Sequence, residues 1–159
     1  MKKNGALYLS QASLIAALYV ALTYLSNMLG LWEIRFSEAL CILPFFTAAA
    51  VPGLTLGCVL ANLLTGCALW DIIFGSLATF IGAYIAHLLR KKSWLFAPWP
   101  NIIANTLAVP LIIRFVYLDT SRTLPGLFAY MAVSEIVSAG ILGYMLLHML
   151  KKHERMFQL

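Results

Sequence analysis

Long apolar runs broken by short basic clusters or Pro/Gly pairs dominate the chain, and their spacing predicts helices over about 6–30, 36–51, 54–68, 71–89, 100–117 and 125–150. With apolar runs from end to end, the chain has no polar surface for water to wet. The pattern describes an all-α integral membrane bundle of six transmembrane helices, a single transmembrane domain over 1–159 with no separate soluble domain. The second and third helices fall short of the roughly 20 residues that cross ~30 Å of hydrocarbon. Val51-Pro52-Gly53 splits them, leaving short helices, a re-entrant hairpin or cavity-lining segments as the options. Met1-Lys2-Lys3 and the apolar run behind it superficially resemble a signal peptide. The run continues to about Leu31 without a small-residue cleavage site before a polar chain, so it is the first spanning helix.

Composition strengthens the membrane reading: 62% of the residues are hydrophobic and 11% are charged, against about 25% charged in soluble domains. The basic residues also set an orientation. Lys2 and Lys3, then Arg90, Lys91 and Lys92, then Lys151, Lys152 and Arg155 form three clusters that six helices place on one side. Arg35, Arg114 and Arg122 are left opposite. Positive loops stay inside, so both termini are expected to be cytoplasmic. The net charge of +5 then reports topology, and a nucleic-acid partner is not indicated. Trp94 and Trp99, beside Pro98 and Pro100, suit anchors at the inner interface. Cys41, Cys58 and Cys67 lack metal-ligand or C-x-x-C spacing, so no metal site or disulfide framework is expected and they read as small packing residues.

Against this background the polar residues inside apolar runs stand out, because charge in hydrocarbon is costly. Glu33, Arg35, Glu38, Asn62 and Asp71 interrupt residues 33–79. Glu38 and Asp71 start helices, where the helix dipole or an N-cap role explains a carboxylate as well as a binding site does. Glu135 lies about ten residues into its helix, roughly 15 Å from the outer end. There it must pair, with Arg114 the obvious partner, or face a polar cavity, or carry a proton. Asn62 and Asn105 offer both donors and acceptors, suiting either interhelical contacts or the amide edge of a heterocycle. With Trp32, Phe36, Trp70 and Tyr130 these groups suit an outward pocket for a small, planar, hydrogen-bonding solute.

Small residues recur at spacing four on the first helix, as Ala12 and Ala16 and as Ser13, Ala17 and Ala21, and again as Ala78, Gly82 and Ala86. Such stripes let a second helix approach closely. No catalytic constellation, Gly-rich phosphate loop, H-E-x-x-H or G-x-S-x-G is present, and no cofactor is implied. Without a Walker-type ATPase motif, energy for concentrating a solute must come from a partner or an ion gradient. A self-sufficient proton-coupled carrier and a membrane-embedded enzyme subunit working through Glu38, Asp71 and Glu135 are the alternatives from other classes.

IRFSEALCILPFF, VPGLTLGCVLANLLTG and DIIFGSLAT, between Ile34 and Thr79, resemble the QueT family of queuosine-precursor transporters. The resemblance implies a substrate-binding S component of an energy-coupling-factor (ECF) transporter, multi-pass in a bacterial-type cell membrane. Its implied partners are a transmembrane T subunit and two cytoplasmic ATPases. The implied solute is a 7-deazapurine, queuine or a precursor. It further implies that small residues of helix one meet the T subunit, at Ala12 and Ala16 or at Ser13, Ala17 and Ala21, with the longer row favoured. Glu38 or Glu135 would take the N–H and amino group of a guanine-like edge. Asn62, Asn105 or a backbone N–H would donate to its oxo group, Trp70, Trp32 or a Phe would stack, and Asp71 would meet a cationic substituent. Arg114 and Tyr130 complete the expected site from the second half.

Overall fold

The structure, a computed structural model, describes residues 2–30 and 34–151, and every regular element among them is helical. Trp32, Glu33, Lys152 and Arg155 lie outside the described residues. Helix α1 (Lys2–Met28) leads into a 3-10 helix (Phe36–Phe45), followed by α2 (Ala50–Leu64), α3 (Leu69–Leu89), α4 (Trp99–Phe115) and α5 (Leu124–Glu135). A π-helical segment, Ile136–Ile141, joins α5 without a break to α6 (Leu142–Lys151). Four stretches are long and apolar enough to cross a membrane: Gly5–Met28, Leu69–Leu89, Trp94–Phe115 and Leu124–Lys151.

The two short elements, Phe36–Phe45 and Ala50–Leu64, are apolar but shorter than these four. At about 2.0 Å per residue a ten-residue 3-10 helix covers roughly 20 Å, and fifteen α-helical residues cover about 22 Å. Their boundary differs from the sequence reading. The break falls at 46–49 and not at Val51-Pro52-Gly53. Pro52 is the third residue of α2, where a backbone N–H has no acceptor within the helix, so proline costs no hydrogen bond there. Pro44 lies inside the last turn of the 3-10 helix.

Polarity runs from inside to outside in the reverse of a water-soluble protein. Leu9, Leu14, Met28, Leu64, Leu107 and Phe115 are exposed, whereas Glu38, Asn62, Thr79, Asn101, Asn105 and Glu135 are buried. Exposed apolar faces of this extent suit lipid.

Glycine sets the closest helix approaches. An added Cβ on Gly57 would lie 2.7 Å from Tyr19 Cβ and 3.1 Å from Ala16 backbone, and one on Gly53 would lie 2.8 Å from the Ala12 carbonyl. Ala12 and Ala16 are therefore buried against α2, while Ser13, Ala17 and Ala21 are exposed on the other face of α1. On α3, Ala78, Gly82 and Ala86 all face inward, and a Cβ on Gly82 would lie 2.3 Å from Asn101 Oδ1 on α4. Both of those stripes are used internally.

Side-chain contacts show which connections share an end. Thr47 Oγ1 donates to Gln11 Oε1 at 2.9 Å, and His87 Nδ1 bonds the Pro44 carbonyl at 2.8 Å. Lys151 Nζ lies 4.4 Å above the Trp94 ring, and Tyr144 donates to the Leu95 carbonyl. The start of α1, the turn holding Arg90, Lys91 and Lys92, and the end of α6 thus gather at the end opposite Arg35, Arg114 and Arg122.

Candidate functional site

The site is built from the 3-10 helix outward. Ser26 on α1 accepts the Phe36 N–H at 2.9 Å, and Thr23 donates to Ser37 at 2.8 Å, pinning the start of this helix to α1. The next residue, Glu38, is carried into the bundle, where it is 3% exposed. An ionised carboxylate at that depth needs donors around it. Tyr19 supplies its hydroxyl to Oε1 at 2.6 Å. Oε2 accepts from Asn101 Nδ2 at 2.9 Å, Asn105 Nδ2 at 3.2 Å and the Cys41 thiol at 3.2 Å. Four donors from three elements converge on one side chain.

Asn101 and Asn105 lie one turn apart on α4, so both amides face the 3-10 helix. Asn105 also donates to Glu135 Oε1 at 3.2 Å, bridging the two carboxylates with a single NH2 group. Glu135 ends α5 just before the π-helical segment. An inserted wide turn of this kind is frequent at functional sites because it re-aims the side chains on either side of it.

Above this layer lies a cavity of about 420 Å³, within the range of small-molecule sites. Tyr19, Glu38, Asn105 and Glu135 form its floor, with Arg35, Asn62 and Thr79 along the wall. Thr65, Gly66 and Cys67 from the α2–α3 connection, together with Asp71 and Tyr117, mark its rim. Arg35 donates to Asn62 Oδ1 at 3.5 Å, a long contact. Among the described residues its guanidinium is the one cation in a lining that also holds three carboxylates. Carboxylate and amide oxygens in such a lining suit a solute rich in hydrogen-bond donors.

At the rim, Tyr117 donates to Asp71 Oδ2 at 2.8 Å and accepts the Ala68 N–H at 3.1 Å. Burial pushes the Tyr117 pKa up, the Ala68 bond opposes this, and the bonded Asp71 carboxylate raises it further, so the phenol remains a donor. Asp71 lies in the first turn of α3 without capping it: the N-cap is Ala68. Gly75 keeps the wall open beneath, since a Cβ there would lie 3.2 Å from Asp71 Oδ1.

Of the residues singled out in the sequence, Glu38, Asn62, Asp71, Asn105 and Glu135 come together around this cavity, and Trp70, Arg114 and Tyr130 do not line it. Trp70 is exposed and stacks on Phe74 at 5.8 Å, because the turn that brings Asp71 inward carries its neighbour outward. Arg114 donates to the Asp119 carbonyl at 3.1 Å and closes its own connection, leaving Glu135 bonded to Asn105. Tyr130 packs under Arg122, whose guanidinium lies 3.8 Å from the ring centroid.

Tyr19, Cys58, Thr79 and Tyr117 join the lining without having been expected there, and Arg35, singled out among the charges of residues 33–79, lines it as well. The cysteines are more than packing residues. Cys41 donates to Glu38 and accepts from Asn101 at 2.8 Å, and Cys58 accepts from Thr79 at 3.5 Å. Among the described residues the aromatic rings of the lining are Tyr19 in the floor and Tyr117 at the rim, not Trp70.

Apolar helices facing outward around a cavity that gathers carboxylates, amides and a guanidinium define a multi-pass membrane protein with a small-molecule-sized cavity. Comparison with known families is specific about which one. The chain belongs to the QueT transporter family, whose sequence profile matches residues 9–152 of the 159, and it is accordingly a membrane transport protein. No matching curated protein and no matching solved structure was found.

Proposed function

We propose that this protein is the substrate-binding S component of an ECF-type importer, which captures a 7-deazaguanine base from outside and hands it to a T subunit and two cytoplasmic ATPases. In this reading the six helices form one transmembrane domain with both termini cytoplasmic, and the cavity opens outward. The observation that carries it is the convergence of carboxylate, amide, guanidinium and phenol groups on one cavity of about 420 Å³ inside an apolar bundle. A guanine-like ring has matching needs. Its N–H and amino group seek a carboxylate, its oxo group seeks a donor such as Arg35 or an Asn amide, and its faces suit Tyr19 and Tyr117. Asp71 at the rim is placed for a cationic substituent.

The exposed row of Ser13, Ala17 and Ala21 supports docking of the T subunit on α1, since Ala12 and Ala16 are already committed to α2. Uptake of labelled 7-deazaguanine should therefore require the T subunit and both ATPases. Unchanged uptake in cells lacking them overturns the importer reading. The bridged pair Glu38–Asn105–Glu135 favours one second reading, a proton-coupled carrier. That reading predicts uptake by proteoliposomes holding this chain alone, driven by a pH gradient without ATP.

A further inference from the structure

The two deep carboxylates are not equivalent. Glu38 accepts four donors, one on Oε1 and three on Oε2, so each of its oxygens has a partner. Glu135 is buried to 6% exposure and accepts from Asn105 on Oε1, while its Oε2 has no hydrogen-bond partner among the described residues. Five buried side-chain atoms share that condition, on Ser76, Asn101, Thr106, Glu135 and Ser138. Glu135 alone of these residues lines the cavity. An unsatisfied carboxylate oxygen in a low-dielectric layer is costly unless a ligand supplies its donor.

We propose that Glu135 is the specificity-determining carboxylate, whose Oε2 accepts from the donor edge of the bound base, and that Glu38 is a positioning residue acting through Asn105. This rests on the reading of the cavity as a site for a planar, donor-bearing base. With both acids ionised, Asn105 turns its NH2 toward both and holds Glu135 Oε1, which leaves Oε2 in want of a donor. A glutamine at position 135 must place its amide oxygen against Asn105 to keep that bond. Its NH2 then confronts the donors of the base.

The test compares binding of 7-deazaguanine with 7-deazahypoxanthine, the same ring without the 2-amino donor, by purified protein. Wild type should prefer 7-deazaguanine by roughly tenfold or more. Glu135→Gln should abolish that preference. Glu38→Gln should weaken both ligands alike and retain it, and its loss should largely vanish in the Glu135→Gln background, as expected when one residue acts through the other. Should Glu135→Gln fail to fold, Glu135→Asp, which withdraws the charge by one methylene, should reduce the preference. Preference retained in whichever Glu135 variant folds, or lost only in Glu38→Gln, overturns the assignment while leaving the substrate reading intact. Wild type that binds neither base overturns both.

Discussion

The α1–α2 seam and the carboxylate layer under the cavity meet at Tyr19, yet different forces hold them. In the seam, the Tyr19 Cβ packs over Gly57 so closely that any side chain there collides. In the layer, the same residue's hydroxyl bonds Glu38 at 2.6 Å. Lipid offers little hydrophobic drive between helices, so the seam relies on van der Waals contact across small residues. The layer relies on every polar group finding a partner. A shape-held contact cannot take added atoms. A hydrogen-bonded one keeps its shape after an isosteric change and still fails.

Substitutions can separate the two, and the largest effect belongs to the seam. Gly57→Val places branched carbon against Ala16 backbone and Tyr19, and should destabilise the protein by about 3 kcal/mol in detergent melting. A cost near zero breaks the claim that shape holds this contact. Asn101→Leu keeps the volume but strips donors from Glu38 and Cys41, and should cost about 2 kcal/mol in the same measurement. A stabilising result would mean the layer is not maintained by hydrogen bonds.

Tyr19→Phe acts on the shared residue. It leaves the seam intact and removes one bond to Glu38, so about 1.5 kcal/mol is expected, with ligand affinity falling more than stability. Equal loss from Tyr19→Phe and Gly57→Val would erase the distinction. The smallest effect lies outside both regions, at Asp119. Hydrogen bonds from Ser121, with Arg122 and Arg114 nearby, hold its carboxyl below the usual carboxylate range. A lowered folded pKa stabilises at neutral pH and the contribution is lost as pH falls through that value. Asp119→Ala should melt slightly below wild type at neutral pH, with the gap closing in acid. A gap independent of pH contradicts the charge argument.

Run length made the helices legible, since crossing hydrocarbon demands about 20 apolar residues in a row and soluble helices rarely carry so many. Local geometry was less accessible. Pro44 and Pro52 look alike in sequence, but one lies in the last turn of a 3-10 helix and the other sits harmlessly in the first turn of an α-helix. Glu38, Asn62, Asp71, Asn105 and Glu135 were visible as polar residues in apolar runs. Tyr19 was not, because a tyrosine in a membrane helix resembles an interface residue until packing buries it completely. Arg35 was noticed as a charge, but its reach into the cavity depends on how the chain enters the 3-10 helix. Trp70 shows the opposite error: one residue from Asp71, it lies on the outer face, because neighbours on a helix point about 100° apart.

The central claim, that this chain alone forms a site for a donor-bearing planar base, is tested most directly by equilibrium binding to the purified protein without partner subunits. Titration with 7-deazaguanines, guanine and unrelated vitamins is predicted to give saturable, single-site binding for a 7-deazaguanine, weaker binding of guanine and none for the unrelated vitamins. Failure to bind any 7-deazaguanine, or equal affinity for an unrelated vitamin, would contradict the account.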